Sequence, residues 1–590
     1  MPNKLSQFWQ ELKRRNVHRL LAIYAGTAYV IFEASTIIFP RWGLPDWTID
    51  LVLYLLILGA VITFAISWIY DITPEGIEKT KPAIELQKDE KTAVSSSWRF
   101  ATYVSVVIIM GLIAFNIFKG KNAARIDESL SKSIAVLPFI NDSPDEANQY
   151  FINGTMDAIL DNLCRIHDLK VIARTSSEKY RGGQKLVTEV ARELSVSYIL
   201  EGSGQRYGDK IRLTVQLING KTGIHLWSRS YDRDLEDIFD IQSEIAQLVA
   251  GEIKAIISPE EKVRIEKIPT GNMEAYNEFL VGKYFYDNQH TLEGFQEALR
   301  HLKRAIQLDT TFALAYFYTA SSYQFMVRYN WIHSDSVFHD VRNAIMKTIE
   351  LDETLGEAYA ALGLFKIVFE WNLYGPDEDF RKALKLNPNS AEIYALYAQY
   401  LRWMRRFAEG KVMAKRAIEL DPVTPITNLW LGAIFFYEGE YDKSIDHLNQ
   451  TLKLDSNFIY TNAHLAYAYI MKADTAKALY YAGKAMSENV WNTSAVGSMG
   501  WVYAKCGATS KAKEILNRLI QERPDQPIYQ AMIYSGLGEY KKTLDLIYQA
   551  YERRSGTIIY LYAFSSTFFK DMREEPRFIN LLQKIGFRVN

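Results

Sequence analysis

Cysteine is nearly absent: the 590 residues hold only Cys164 and Cys506. Two thiols so far apart, in different expected domains, make no disulfide framework and read as buried side chains. They leave the redox compartment open. Net charge is equally scarce, at −1, which excludes a global attraction to nucleic acid. The nine histidines form no HExxH motif and no histidine–cysteine cluster. No Gly-x-Ser-x-Gly elbow and no kinase or nucleotide-cyclase signature occurs. The sequence therefore assigns no catalytic residue, no cofactor-binding residue and no metal ligand. The expectation is a protein that is not an enzyme and carries no cofactor.

Three fragments come close to chemical motifs and fall short. Gly220-Lys221-Thr222 ends like a phosphate loop, but Val215 stands where the leading glycine belongs, and the context is a hairpin. Residues 181–185 are a glycine-rich basic loop before a helix, read as a plain loop. Asp232, Asp234, Glu236, Asp237 and Asp240 lack calcium-loop spacing and read as a helix start, with Asp234 as its cap.

What is present begins with hydropathy. Residues 20–39, 49–70 and 100–118 are apolar runs long enough for a helix to cross about 30 Å of hydrocarbon. Trp42, Trp47, Trp68 and Trp98 lie near their ends. Glu33 is the one acid inside a run and reads as interface-near or paired. Residues 1–19 read as a basic amphipathic helix and 20–118 as a three-span membrane anchor. Five basic residues precede the first run and five separate the second from the third. One lies between the first and second, and three follow the third. The positive-inside rule then places the amino-terminus in the cytoplasm and the carboxy-terminal domains in the periplasm of a bacterial inner membrane.

Residues 131–258 read as a compact α/β domain. Residues 133–139 form a buried strand, 149–166 a helix, 170–174 a strand and 185–194 a helix. A strand and an antiparallel meander follow, with turns at Gly208 and Gly220–Gly223. Ile211, Leu213, Val215 and Leu217 alternate with polar residues, as a half-buried strand requires. The segments LEGS, LTVQLI, HLWS and YDRDLEDIF occur in order. On them the domain resembles the TolB-type amino-terminal domain. The apolar front, with FWQELKRRNVHR, GLPDWT and YDITPEGIEK, is similar to the anchor of such proteins. The resemblance implies a non-catalytic interaction module.

From about residue 275 the chain repeats itself. Breaks at Asp309, Asp352, Asn387, Asp421, Asp455 and Asn489 are spaced 43, 35, 34, 34 and 34 residues. A period of 34 is the helix–turn–helix length of tetratricopeptide repeats. Gly432 and Gly500 share one phase, with Ala466 as their equivalent. Small residues there let paired helices approach, and stacked hairpins bury the faces that one hairpin cannot. The repeats are expected over 275–560, with an insertion near residues 327–337 and a carboxy-terminal cap over 561–590. The resemblance to the tetratricopeptide family implies protein or peptide partners. Tyr394, Tyr397, Asn428 and Asn462 are the candidate partner-binding residues.

The fold class expected is thus multi-domain: three transmembrane helices, a small α/β domain and an all-α repeat superhelix. The function expected is a membrane-anchored interaction scaffold. The alternatives are a sensory or signal-transduction receptor component of the cell envelope and an enzyme with an unrecognised site.

Overall fold

The computed structural model describes residues 17–41, 47–73, 76–79, 132–143, 148–183, 185–329, 331–486 and 493–588. The chain divides into two units, Met1–Ala124 and Arg125–Asn590.

The first unit pairs helices α1 (Val17–Arg41) and α2 (Trp47–Ile69), followed by a hairpin of β1 (Tyr70–Thr73) and β2 (Gly76–Lys79). The Tyr24 hydroxyl donates to the Leu56 carbonyl at 2.7 Å, tying the helices together. Gly59 leaves the room that the Tyr24 ring occupies. The three-span anchor expected from hydropathy is corrected here. Among the described residues, no helix is long and apolar enough to cross a membrane. The inner-membrane location, and the periplasmic placement built on it, fall with the spans. In α1 the reason is chemical: Glu33 interrupts the apolar run, and polar Thr27, Ser35 and Thr36 share it. Their hydroxyls turn back to backbone carbonyls one turn earlier. The expected third span, 100–118, and nearly all of the expected amphipathic helix, 1–16, lie outside the described residues.

The second unit opens with the α/β domain. Its sheet has the order β5-β3-β6-β7-β8, with β4 also against β6. The strands are β3 (Ser133–Val136), β4 (Ile140–Asn141), β5 (Lys170–Val171), β6 (Tyr198–Tyr207), β7 (Lys210–Asn219) and β8 (His225–Asp234). β3 is parallel to β5 and β6, whereas β6, β7 and β8 run antiparallel. Ile211, Leu213, Val215 and Leu217 are fully buried, so the alternation in β7 does point one face inward. Helices α3 (Gln149–Cys164) and α6 (Ile238–Ile253) pack against each other and share a core with that face. The shorter α4 (Arg174–Glu178) and α5 (Val187–Leu194) lie between them in sequence. The turn expected at Gly220–Gly223 forms, and Gly220 also packs closely, since a Cβ there would strike the Ala191 methyl and the Val196 and Ser197 carbonyls. One local expectation changes. Asp234 ends β8, makes no side-chain cap and pairs with Lys210 at 3.3 Å.

After a short helix, Pro259–Ile265, eight helical hairpins follow among the described residues. We call the two helices of each hairpin A and B. The first is Met273–Asn288 with Leu292–Leu308, and the last is Pro527–Gly536 with Tyr540–Glu552. This is a tetratricopeptide-type array. Gly432 lets Leu448 of its own hairpin close in, and Gly500 does the same for Ile533 of the next. The insertion in the second hairpin is absorbed mainly by helix length: Ala313–Arg328 and Ser334–Leu351 have 16 and 18 residues, against 13 and 11 in the next hairpin.

The repeat breaks do more than stop helices. The Ala173 amide donates to the Leu420 carbonyl at 2.8 Å, and Ser176 Oγ donates to Asp421 Oδ1 at 2.6 Å. Asn389 Nδ2 donates to the Ile166 carbonyl at 2.9 Å. Arg264 Nη1 donates to the Leu386 carbonyl at 2.9 Å. The α/β domain is thereby seated on the ends of the third and fourth hairpins.

Candidate functional site: the inner face of the repeat array

Aromatic residues of two phases, one helical turn apart, meet on one side of the array from successive A helices. Trp403 and Tyr437 are one period apart, as are Tyr467 and Trp501. All four are buried, and together they line the inner face. The carboxy-terminal segment lies across them. Phe568 sits edge-on to Tyr467 at 5.3 Å and to Trp501 at 5.0 Å. Tyr560 packs on Trp403 at 5.2 Å. Ser535 Oγ donates to the Phe568 carbonyl at 2.6 Å. The segment expected as a carboxy-terminal cap, 561–590, thus runs along the array together with the turn that leads into it from residue 553. It reaches the insertion of the second hairpin, where His333 Nε2 meets the Arg553 carbonyl at 2.6 Å. Arg554 stacks on Trp371 at 5.0 Å and donates to the Phe369 carbonyl at 3.1 Å.

The earlier part of the inner face stays open. Tyr286, Phe317, Phe325, Arg328, Glu357 and Glu392 are among the residues lining a cavity of about 40 Å³. That is room for a few waters or a side-chain head, not for a drug-sized ligand. Glu392 is solvent-exposed at the cavity edge; the protein packed around its carboxyl still raises it above its ordinary value, and Glu357 and Asp287 add to the effect. Asp161, on α3 of the α/β domain, keeps solvent contact yet is surrounded by protein. Burial pushes it up to about 7 against the opposing Lys283, and Asp157 and Glu357 add to the rise. Lys283 holds Asp157 at 2.8 Å and Asp287 at 2.6 Å, and Arg174 also pairs with Asp157. These two carboxylates keep Lys283 protonated against the cost of burial.

The four residues singled out in the sequence lie beside this face in different roles. Tyr397 is buried and donates to Asp377 at 2.8 Å. Asn428 and Asn462 are buried and donate to carbonyls at the starts of their own helices. Tyr394 is half-buried. Asn428, Asn462 and Tyr394 share a phase in which the side chain can brace the helix start. The phase that meets the occupying segment lies five and nine residues further along. The recurrence of aromatics 34 apart, 403 with 437 and 467 with 501, is the sequence signal that marks it. Among the described residues, no group of histidine, cysteine and acidic side chains could hold a metal ion.

Comparison with known proteins bears on the α/β domain first. Residues 130–248 match the family described as HilA/YgeH-like transcriptional regulator, second domain. The TolB-type resemblance is not what this match returns. The chain is similar to "Putative adenylate cyclase 3" of Rhizobium meliloti strain 1021, 39% identical over 184 residues. That match covers 31% of each chain. It is similar to the transcriptional regulator HilA of Salmonella typhimurium, 24% identical over 44% of this chain and 46% of that one. The matches thus span less than half the length of these curated relatives. Among solved structures, YrrB, a TPR protein, aligns over 32% of this chain and 91% of that one. Identity there is 20%, with a TM-score of 0.24.

Proposed function

We propose that the chain is a protein-interaction scaffold whose repeats hold partner proteins or peptides along their inner face. The observation that carries this is the aromatic row Trp403, Tyr437, Tyr467 and Trp501, two periodic pairs one helical turn out of phase, which already holds an irregular peptide segment through Phe568 and Tyr560. Large aromatic side chains at recognition surfaces give contact area at low entropic cost. Tyr394 keeps enough exposure to meet a partner directly, while Tyr397, Asn428 and Asn462 hold the helices that present it. The α/β domain is read as a non-catalytic, TolB-like interaction module; its support is the ordered set LEGS, LTVQLI, HLWS and YDRDLEDIF.

A photocrosslinking residue placed at Tyr394 in the full chain tests the reading. Adducts with a defined set of proteins are expected. Conversion of ATP by the purified chain, abolished by a point substitution within residues 131–258, would overturn it.

A second reading has its own support. The match of residues 130–248 to a domain of transcriptional regulators favours a signalling role, with the α/β domain as the responsive part. It differs in predicting that a ligand of the α/β domain changes partner binding by the repeats.

A further inference from the structure

The guanidinium of Arg402 lies on the inner face and forms no ion pair among the described residues. Arg402 belongs to the helix Ala391–Trp403 and is only 8% exposed. It stands over the ring of Tyr437 at 5.0 Å and of Trp430 at 5.5 Å. Its Nε–H has no acceptor among the described residues. The titratable groups that act on it are Tyr437, whose hydroxyl also accepts a hydrogen bond from the guanidinium, and Tyr560; both are neutral phenols, and no carboxylate is among them. Burial accordingly lowers its pKa.

Moving a guanidinium out of water without an anion is costly. Two aromatic faces offset only part of that cost. The surroundings are otherwise short of charge. Burial pushes His464 down to about 4, so it is neutral near pH 7, with Nδ1 directed to the Tyr460 carbonyl at 2.9 Å. The indole N–H of Trp403, next in sequence, also lacks an acceptor among the described residues. Trp430, His464 and Tyr560 around the guanidinium are half-buried, so solvent reaches the groups beside it.

We propose that Arg402 forms a carboxylate-binding site on the inner face, taking a glutamate or aspartate side chain of an extended peptide partner. The charge count selects the ligand. One guanidinium balances one carboxylate, whereas a phosphate with about −1.5 to −2 charges would leave excess negative charge in an aromatic setting. The planar fork of arginine also matches a carboxylate in two parallel bonds. The proposal rests on the reading of the inner face as a peptide groove.

The test uses the full chain and two N-acetylated fluorescent octapeptides, one alternating Leu with Glu and the other Leu with Gln. Anisotropy measures binding, and melting temperature is followed in parallel. The Glu peptide is expected to bind wild type at least about tenfold more tightly than the Gln peptide, the size of one charged hydrogen-bonded contact. Arg402→Met is expected to abolish that preference. Because it removes an unpaired buried charge, it is also expected to melt at or above wild type without peptide. Arg402→Lys keeps the charge and is expected to retain part of the preference. Equal binding of both peptides overturns the carboxylate site and leaves the peptide groove standing. Binding of neither peptide overturns both. A lower melting temperature for Arg402→Met, with the preference intact, makes Arg402 a structural cation. Protection of wild type but not Arg402→Met by inorganic phosphate, with none by the Glu peptide, also overturns the carboxylate assignment.

Discussion

Ser176 Oγ donates to Asp421 Oδ1 at 2.6 Å, and the two residues are 245 positions apart. Both are buried. Asp421 also accepts from the hydroxyls of Thr424 and Thr427, each at 2.6 Å. One carboxylate therefore closes a repeat, starts the next A helix and seats the α/β domain. Asp421→Ala would leave three hydroxyls without their acceptor, at a cost of about 3 kcal/mol. Urea denaturation measures that loss. Hydrogen exchange should speed up in α4 as well as around residues 420–428, because the contact spans both domains.

The same residue shows what was legible in the sequence. Asp421 could be read as a repeat break from its spacing, because a 34-residue period is local and self-announcing. Its second partner could not be read, since nothing in the spacing of repeats says what packs on their ends. The glycines followed the same logic: Gly432 and Gly500 lie where helices close in, as periodicity required. Groove positions were harder. Tyr397 and Asn428 have the polarity of contact residues, but helix phase turns them toward Asp377 and the helix start. The apolar front misled for a different reason, because a window of hydropathy averages over Glu33 and the hydroxyls that interrupt α1.

Asp161 predicts a pH dependence. Its carboxyl is raised from 3.8 to about 7 in the fold, chiefly by burial. A raised acid gives stability that is fully present below its unfolded pKa and is lost as pH rises through the folded value. The chain should therefore lose stability between about pH 4 and pH 7 on this account. In a dry site the shift would be worth about 4 kcal/mol, and the solvent contact of Asp161 screens it to on the order of 1 kcal/mol. Asp161→Asn should remove the slope, stabilising the chain at pH 8 and leaving it unchanged at pH 4. Melting curves across that range decide; a slope that survives the substitution assigns it elsewhere.

Gly432→Ala tests the close approach of the fifth hairpin. The added methyl would stand 2.6 Å from Leu448 Cδ2 and 2.8 Å from its Cγ. Leu448 is fully buried, so it has little room to turn away. Overpacking of this kind costs about 1–3 kcal/mol, against a helix-propensity gain of about 1 kcal/mol. A net loss of stability is expected by denaturant titration. A gain would mean that Leu448 can repack.

Phe568 is the residue on which closure of the inner face depends most. It is 2% exposed, edge-on to both Tyr467 and Trp501, and also meets Phe564 at 5.1 Å. Such pairs add about 0.5–1.5 kcal/mol each beyond area burial, and truncating a buried phenylalanine costs about 3–5 kcal/mol. Where that cost appears is the informative part. If the carboxy-terminal segment is an independent occupant of the groove, Phe568→Ala should release it without unfolding the array. Protease would then cut between residues 556 and 575, while the hairpins through residue 552 stay protected. Trp501 fluorescence should shift to the red as its ring meets water. If the segment is instead an integral part of the last hairpins, cleavage and unfolding should come together, with one melting transition lowered by the whole amount. Arg554→Ala separates the two further. It removes the stack on Trp371 and the bond to the Phe369 carbonyl, both at the far end of the segment. An independent occupant should then fray from that end first, with protease sensitivity rising near residue 556 while Phe568 keeps Trp501 dry.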